Sequence, residues 1–262
     1  MSGLNRYTSI LRLFTEARSA WTVLDMAETL GAPQSTVYRI VHELLKQGFL
    51  EPAAEAHYRL GAAFMEFDRL IRKTDPFLEV GTSMLHDVVA QARVPCLALL
   101  ARLYNDTVMC VADCPSSPGA PPSSYERGRP MPLVRGASSK VILAHLPARR
   151  LGKLLERAPV QPFPPEEGAF RAELKSIRKR GYTVGRSEID PDTLGIGAPV
   201  VAPEAGIVGS LSLVLDRREV DETTERRLVL LVVSSASLLT EGLKQRGEAP
   251  ARAAATNVQR LR

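Results

Sequence analysis

Hydrophobic residues in the N-terminal part of the chain recur with the spacing of three short α-helices. The first helix is predicted within 4–17. The second is predicted over about 23–30, because Thr22 and Asp25 form an N-cap arrangement before it and Gly31 follows it. In the third helix, apolar residues at i, i+3, i+4, i+7 and i+8 form a single stripe, which consists of Val37, Ile40, Val41, Leu44 and Leu45.

The residues around this third helix complete a recognisable domain pattern. Pro33 fits its first turn, where a missing N–H has no partner anyway, and Gly48 ends it. The strand-like segments FLE and YRL then flank a short turn and predict a β-hairpin. Three helices followed by a hairpin are typical of a winged helix-turn-helix domain, which we predict over 1–60.

The remainder of the chain places strands in pairs between longer helices. A linker helix is predicted over 61–75, followed by a sensor-like α/β domain over 76–245 and a disordered tail over 246–262, which lacks a core pattern. Paired strands favour a mostly antiparallel sheet over a doubly wound one, so the predicted fold class is α+β. The predicted elements of the second domain are helices at 76–92, 137–146, 148–157, 166–180 and 221–243 and strands at 94–103, 107–113, 182–186, 196–202 and 207–215.

Composition places the chain among ordinary globular proteins. Its 262 residues are 45% hydrophobic and 24% charged, which suits two domains with separate cores. The sequence has no run of about 18 apolar residues, so we predict no membrane-spanning helix and no membrane partner. Since we find no export signal either, the three cysteines are expected to be reduced thiols in the cytoplasm.

Net charge does not by itself indicate a nucleic-acid partner. The formal net charge is +5, but residues 1–75 hold nine Lys/Arg and nine Asp/Glu, whereas residues 244–262 hold five basic residues and one acidic residue. The excess therefore lies mostly in the tail and not in the predicted winged helix-turn-helix domain. A prediction of DNA binding must depend on local pattern.

The polar side of the third helix carries residue types that suit DNA. A helix enters the major groove with its N-terminal residues nearest the bases, and Gln and Arg are long enough for bidentate contacts to adenine and guanine. His57 and Arg59 of the hairpin are candidates for a minor-groove or phosphate contact. An ordinary solvated surface is the alternative in both places. The candidate DNA-binding residues are Gln34, Ser35, Thr36, Tyr38 and Arg39.

Three segments, in this order, resemble a known family. They are LGAPQSTVYRIVHELLKQGFLE followed by YRLG, then GRPMPLVRGASSKVILAHLP, and finally LKSIRKRGYTVGRSEIDPDTLGIGAPVV. Over about residues 5–243 the chain resembles the IclR family of bacterial transcriptional regulators. The resemblance implies a winged helix, a linker helix and a GAF-like effector domain. It also implies double-stranded operator DNA and a small organic acid effector as partners, and a homo-oligomer that is a dimer or a dimer of dimers.

The resemblance also implies an effector site. The loop-to-helix junction at 136–140 suits an anion, because backbone N–H groups at a helix start attract negative charge. In the family, the positions that match Ala137 and Ser138 donate backbone N–H groups to small organic acids, and the position that matches Ser212 offers a hydroxyl. The apolar wall is formed by positions that match Ala120, Ser123 and Met131, and the opposite side by positions that match Gly185, Thr193, Gly195 and Val214.

Small residues on that opposite side predict more room than a two- or three-carbon acid needs. The expected effector is therefore a larger acid, such as an aromatic or ring carboxylate from a catabolic pathway. Gly185 departs from the family pattern, since many relatives carry an acidic residue there. Arg135 and Arg186 are candidate partners for the carboxylate, with simple exposure to solvent as the commoner role of an arginine.

We predict no catalytic residue, no metal site and no cofactor. Ser138 and Lys140 are two residues apart and so lie on different sides of a helix. Cys110 and Cys114 have no further ligand at the spacing of a zinc site. Two other function classes stay open: an enzyme with an accessory winged helix, which needs a nucleophile or a paired acid and base in its pocket, and a winged helix used for protein contacts alone.

Overall fold

The structure is a computed structural model, and its chain divides into two compact units, Met1–Thr74 and Asp75–Arg262. The described residues are 3–116, 119–157 and 167–260, with the backbone alone for 167 and 247–260.

The first unit is a winged helix-turn-helix fold followed by a further helix, as predicted. One core cluster holds it together, formed by Ile10, Trp21, Met26, Ala27, Val37, Ile40, Val41, Leu44 and Leu50. Its elements are α1 (Gly3–Leu11), α2 (Val23–Leu30), α3 (Gln34–Lys46), β1 (Leu50–Pro52), β2 (Tyr58–Leu60) and α4 (Ala63–Thr74).

Local chemistry sets the turn between α2 and α3. Thr22 caps α2 by accepting a hydrogen bond from the Asp25 N–H at 3.1 Å. Gly31 ends the helix in the left-handed region at φ +58°, where glycine avoids the steric penalty of a Cβ atom. Pro33 lies immediately before α3 rather than in its first turn, one residue earlier than predicted. Its carbonyl accepts from the N–H groups of Thr36 and Val37 and so begins the helix.

The second unit is built on a six-stranded sheet in which every described pairing is antiparallel. The strand order is β5-β4-β3-β8-β7-β6. Its strands are β3 (Cys96–Tyr104), β4 (Thr107–Pro115), β5 (Pro130–Met131), β6 (Thr183–Arg186), β7 (Thr193–Ala202) and β8 (Ile207–Asp216). Its helices are α5 (Pro76–Ala92), α6 (Ala137–Ala144), α7 (Ala148–Arg157), α8 (Glu167–Arg180) and α9 (Glu222–Arg260).

Helices cover both faces of this sheet, and the alternation of side chains along each strand separates two cores. On β8, Leu211, Leu213 and Leu215 belong to the core that α5 and α9 cover. Val214 belongs to the opposite core, under α6, α7 and α8. The predicted effector residues of the sheet therefore lie on the α6 side.

The C-terminal helix differs from the prediction. The backbone of α9 is helical from Glu222 to Arg260, whereas the sequence predicted a helix that ends at 243. The disordered tail over 246–262 stays a prediction, and 261–262 lie outside the described residues. The tail is rich in alanine, the strongest helix former, and it continues an existing helix, so no new nucleus is needed.

Part of α9 also has the length and hydropathy of a membrane span, although the sequence predicted none. Among the described residues this applies to one segment, Glu222–Arg246. The segment packs as a core helix of the second unit, and its buried apolar residues are Leu228, Val232, Ala236, Leu239 and Leu243.

The sequence analysis also missed one short strand and placed the start of another too late. The two-residue strand β5 pairs with Val108 and Met109, but Pro130 within it gives no strand signal. The strand β7 begins at Thr193, three residues before the predicted start at 196, because Gly195 interrupts the apolar pattern there.

Candidate DNA interface and effector site

The five candidate DNA-binding residues share the N-terminal half of α3. Gln34, Ser35, Tyr38 and Arg39 are exposed, with Tyr38 at 60%, whereas Thr36 is half-buried. Within the described residues Arg39 makes no hydrogen bond or ion pair, so its guanidinium donors are available to a partner. The ring of Tyr38 lies parallel to that of His42, with centroids 6.4 Å apart.

The opposite side of α3 explains why this face points outward. Val37, Ile40, Val41 and Leu44 are at most 5% exposed and pack in the core of the first unit. At the C-terminal end of the polar side, Glu43 accepts a hydrogen bond from the Tyr7 hydroxyl of α1. The polar side thus has two parts: an N-terminal half whose Arg39 has no partner among the described residues, and the C-terminal carboxylate of Glu43, which contacts α1.

The hairpin places His57 and Arg59 in contacts with its own residues. Arg59 forms an ion pair with Glu51 across the two strands at 2.6 Å. The His57 ring nitrogen Nδ1 lies 3.0 Å from the carbonyl oxygen of Glu55. Both side chains already have partners within the hairpin. The structure therefore favours the alternative interpretation, an ordinary exposed hairpin.

In the second unit, the sequence-predicted effector residues meet where α6 begins on the sheet. The Ser138 hydroxyl donates to the Ser212 hydroxyl at 3.0 Å, and both residues are 1% exposed. In the sheet register, Gly195 lies opposite both Gly185 and Val214. Met131 and Val214 belong to the core beneath α6.

Two further candidates lie beside a loop over 187–192 that the sequence did not single out. Ser123 is half-buried, and its hydroxyl donates to the Asp190 carboxylate at 3.4 Å. The Thr193 hydroxyl donates to the Asp190 carbonyl at 2.7 Å. Ala120 is half-buried, and the structure shows no specific contact that assigns it to the site.

The glycines of β6 and β7 let α6 approach the sheet closely, and they do not leave extra room. A Cβ atom added at Gly195 would lie 3.4 Å from the Ala137 Cβ, and one at Gly197 would lie 3.2 Å from the Ala137 backbone. A Cβ atom at Gly185 would lie 2.6 Å from the Glu188 carboxylate. The prediction of a roomier pocket is therefore wrong at Gly185 and Gly195, because other residues of the chain occupy that space.

The junction before α6 binds a carboxylate of the chain itself. The Gly136 N–H, in a backbone with φ +84°, donates to Glu188 Oε2 at 2.8 Å. Lys140 Nζ donates to Glu188 Oε1 at 2.9 Å and to Glu173 Oε1 at 2.8 Å. Glu188 therefore binds beside the sequence-predicted anion site, through Gly136 and Lys140 rather than through the predicted donors Ala137 and Ser138, and sequence reasoning missed it.

The cationic side chains around this junction all have partners within the chain. Burial alone would lower the pKa of Lys140, but hydrogen bonds and charge from Glu173 and Glu188 outweigh it, so the pKa of this ammonium is raised. Arg135, a candidate partner of the effector carboxylate, instead donates to the Glu188 carbonyl. Arg186, the other candidate, pairs with Glu225 at 2.5 Å. Both arginines already have partners within the chain.

Asp190 holds the other end of the 187–192 loop. Its carboxylate accepts from the Ser124 N–H at 2.8 Å and also from the Ser124 hydroxyl. Ser187 and Asp192, at the two ends of the loop, have positive φ angles of 50° and 56°. Two carboxylates therefore fasten this loop, one to the start of α6 and one to the 123–124 segment.

Comparison with known proteins settles the family. The family model described as "Bacterial transcriptional regulator IclR C-terminal" matches residues 90–240, and the model of the IclR helix-turn-helix domain matches residues 3–54. The chain belongs to the IclR family. It is a DNA-binding transcriptional regulator rather than an enzyme, which removes the alternative of an enzyme with an accessory winged helix.

Curated relatives and solved structures of the family match most of this regulator. The HTH-type transcriptional regulator KipR of Bacillus subtilis is 24% identical over 78% of this chain and 82% of that protein. The Pca regulon regulatory protein of Pseudomonas putida is 20% identical over 91% of this chain and 83% of that protein. An IclR homolog from Microbacterium hydrocarbonoxydans, solved in complex with 4-hydroxybenzoate, has a TM-score of 0.75 and 22% identity, covering 92% of this chain and 99% of that one.

The cysteines of the described residues lie in buried or half-buried positions and are free thiols. No group of three or more His, Cys, Asp or Glu suited to a metal ion occurs in the part of the chain that the structure describes. Burial raises the pKa of the Cys96 thiol to about 11 and that of the Cys110 thiol to about 12, so both stay protonated near neutral pH.

Proposed function

We propose that this IclR-family regulator recognises operator DNA with the polar side of α3. Arg39 carries the proposal, since it is exposed, has no partner among the described residues, and has a planar guanidinium that suits the two acceptors of guanine. Gln34, Ser35, Tyr38 and the half-buried Thr36 lie on the same half of the helix. In this proposal residues 1–60 bind DNA, residues 61–75 act as a linker, and the protein works in the cytoplasm.

The second unit, over 76–245, is proposed to bind a small organic acid near the start of α6. Support comes from the N-terminal backbone of that helix at Ala137 and Ser138, beside the Ser212 hydroxyl, with Ser123, Met131, Gly185, Thr193, Gly195 and Val214 around them. An aromatic carboxylate is favoured because a relative of the same fold was solved with 4-hydroxybenzoate. Room at Gly185 and Gly195 gives no such support.

A homo-oligomer, either a dimer or a dimer of dimers, is part of the proposal. In α4 none of the residues is buried, and its large apolar side chains are between 38% and 76% exposed. Covering this side with a second copy would remove apolar surface from water. The side chains concerned are Phe64, Met65, Phe67, Leu70 and Ile71.

A titration of labelled DNA from upstream of the protein's own gene tests the proposed function. Fluorescence anisotropy would follow binding with and without acetate, pyruvate, glyoxylate, benzoate and 4-hydroxybenzoate. We expect specific DNA binding whose Kd changes by about 5- to 150-fold with an aromatic acid, the usual size of coupling between two sites. An effect of glyoxylate or pyruvate alone would refute the aromatic class. Absence of specific DNA binding would favour a winged helix used for protein contacts.

A further inference from the structure

The Glu188 carboxylate accepts hydrogen bonds with both of its oxygens, as the carboxylate of a bound organic acid would. One oxygen accepts the Gly136 N–H at 2.8 Å, and the other accepts the Lys140 ammonium at 2.9 Å. A backbone N–H before a helix start and a cation together form a receptor for one carboxylate. We define this pair of donors, the Gly136 N–H and Lys140 Nζ, as the carboxylate receptor.

We infer that the carboxylate receptor takes the acid group of the effector, and that Glu188 is an internal occupant which the effector displaces. The inference rests on the proposed function, because it assigns that site a cation and a competing residue. It names Lys140 as an effector-binding residue. It also predicts that effector binding releases the 187–192 loop from the start of α6.

The environment of Glu188 permits such an exchange. Its side chain is 24% exposed, so it can leave toward water, whereas the Lys140 side chain is 11% exposed and stays within the unit. Replacement of one carboxylate by another keeps the buried ammonium paired, which avoids the large cost of an unpaired buried charge. Glu173, at 2.8 Å from Lys140 Nζ, keeps a second ion pair throughout.

A second polar group beside the receptor has no described partner. Tyr125 is 7% exposed, and its hydroxyl lies against Gly136, so close that an added Cβ atom there would clash with it. Within the described residues this hydroxyl makes no hydrogen bond. The hydroxyl is therefore available to donate to an acid or to its ring substituent.

The space at Gly185 is what allows Glu188 to reach the receptor. A Cβ atom at Gly185 would lie 2.6 Å from Glu188 Oε1, which is the flexible end of a long side chain. Gly185→Ala should therefore displace the Glu188 carboxylate without removing it. Gly185→Ala is thus a second variant in which the carboxylate receptor is empty, and it keeps every charged residue of the chain.

Chemical rescue with acetate tests the inference on the full-length protein. Thermal unfolding of Glu188→Ala would be measured in sodium acetate and in sodium chloride at equal ionic strength. We expect acetate to raise the Tm by a saturable ~2–4 °C beyond chloride, because a ligand that binds only the folded state stabilises it. The wild type should show no such difference. The double variant Glu188→Ala with Lys140→Met should lose the response.

Glu173→Ala is the matched control, since it removes the other carboxylate from Lys140 but leaves Glu188 on Gly136. It should not respond specifically to acetate. If Glu188→Ala does not fold, Gly185→Ala should show the same acetate-specific rise. Equal effects of acetate and chloride on whichever of these two variants folds would overturn the inference. The same holds if Glu173→Ala responds as strongly.

The two proposals can fail separately. Acid-dependent release of operator DNA by the wild type, without acetate rescue in the variants, would keep the proposed function and overturn the receptor. Acetate rescue without any acid effect on DNA binding would keep the receptor and overturn the proposed function.

Discussion

The two units differ in whether their candidate binding groups already have partners within the chain. On α3, Arg39 has no described partner within the chain and Gln34 and Tyr38 are exposed, so the proposed DNA-facing side is open to an external partner. At the start of α6, the Gly136 N–H and the Lys140 ammonium are already bound by Glu188. A DNA contact that needs no rearrangement of the chain adds no conformational cost to the ordinary costs of association, which are lost translational freedom, ordering of side chains and desolvation. In the second unit, a proposed effector must first displace the Glu188 carboxylate from its donors. Because this displacement moves Glu188, it would couple effector binding to a movement of the chain.

The largest effect is expected from a core substitution that lowers the free energy of unfolding of the second unit but not of the first. Phe77 is fully buried between α5 and the sheet of the second unit. Phe77→Ala should lower the free energy of unfolding of that unit by about 3–5 kcal/mol, through lost burial and a cavity. Hydrogen exchange measured by peptide would show lost protection in 75–116 and 193–216. Equal loss of protection throughout 3–60 would contradict the description of two separate units.

The next effect concerns the DNA-facing side alone. Arg39→Ala should weaken specific operator binding by about 1–3 kcal/mol, because it removes a bidentate donor without disturbing the core. Anisotropy titrations on operator and on scrambled DNA would measure the loss. Arg59→Ala is the matched control, since Arg59 is already paired with Glu51. Similar losses for both variants would show that phosphate attraction, rather than base recognition, explains the role of Arg39.

The same contrast describes what could be predicted from sequence. The exposed side of α3 follows from the spacing of five apolar residues within one helix, so local pattern was enough. The contact of Gly136 with Glu188 joins residues 52 positions apart, and that of Lys140 with Glu173 joins residues 33 apart. Neither has a local signal. Small residues at 185 and 195 indicated open space, yet the fold fills that space with Glu188 and Ala137.

A smaller effect is expected at the N-cap that orients α2 against α3. Thr22→Ala should lower the free energy of unfolding of the first unit by about 1 kcal/mol, because the Asp25 N–H loses its acceptor. Thr22→Ser keeps the acceptor and serves as the control. Chemical denaturation followed by the fluorescence of Trp21 would report this unit selectively, since Trp21 is the single tryptophan of the chain. A loss in Thr22→Ser as large as in Thr22→Ala would assign the effect to packing instead.

The smallest effect is a pH dependence confined to the second unit. Burial lowers the pKa of His145, the hydrogen bond to the Val141 carbonyl partly opposes this, and the charge of Arg178 lowers the pKa further. Because the folded pKa lies below the unfolded value of about 6.5, the unfolded state binds more protons between the two values. The stabilisation by the neutral imidazole is therefore complete above about pH 6.5 and declines as the pH falls toward the folded pKa. His145→Gln should flatten the plot of unfolding free energy against pH in that window. Arg178→Gln should flatten it only in part, since burial is the larger cause. An unchanged slope in His145→Gln would mean that other groups set the acid sensitivity of this unit.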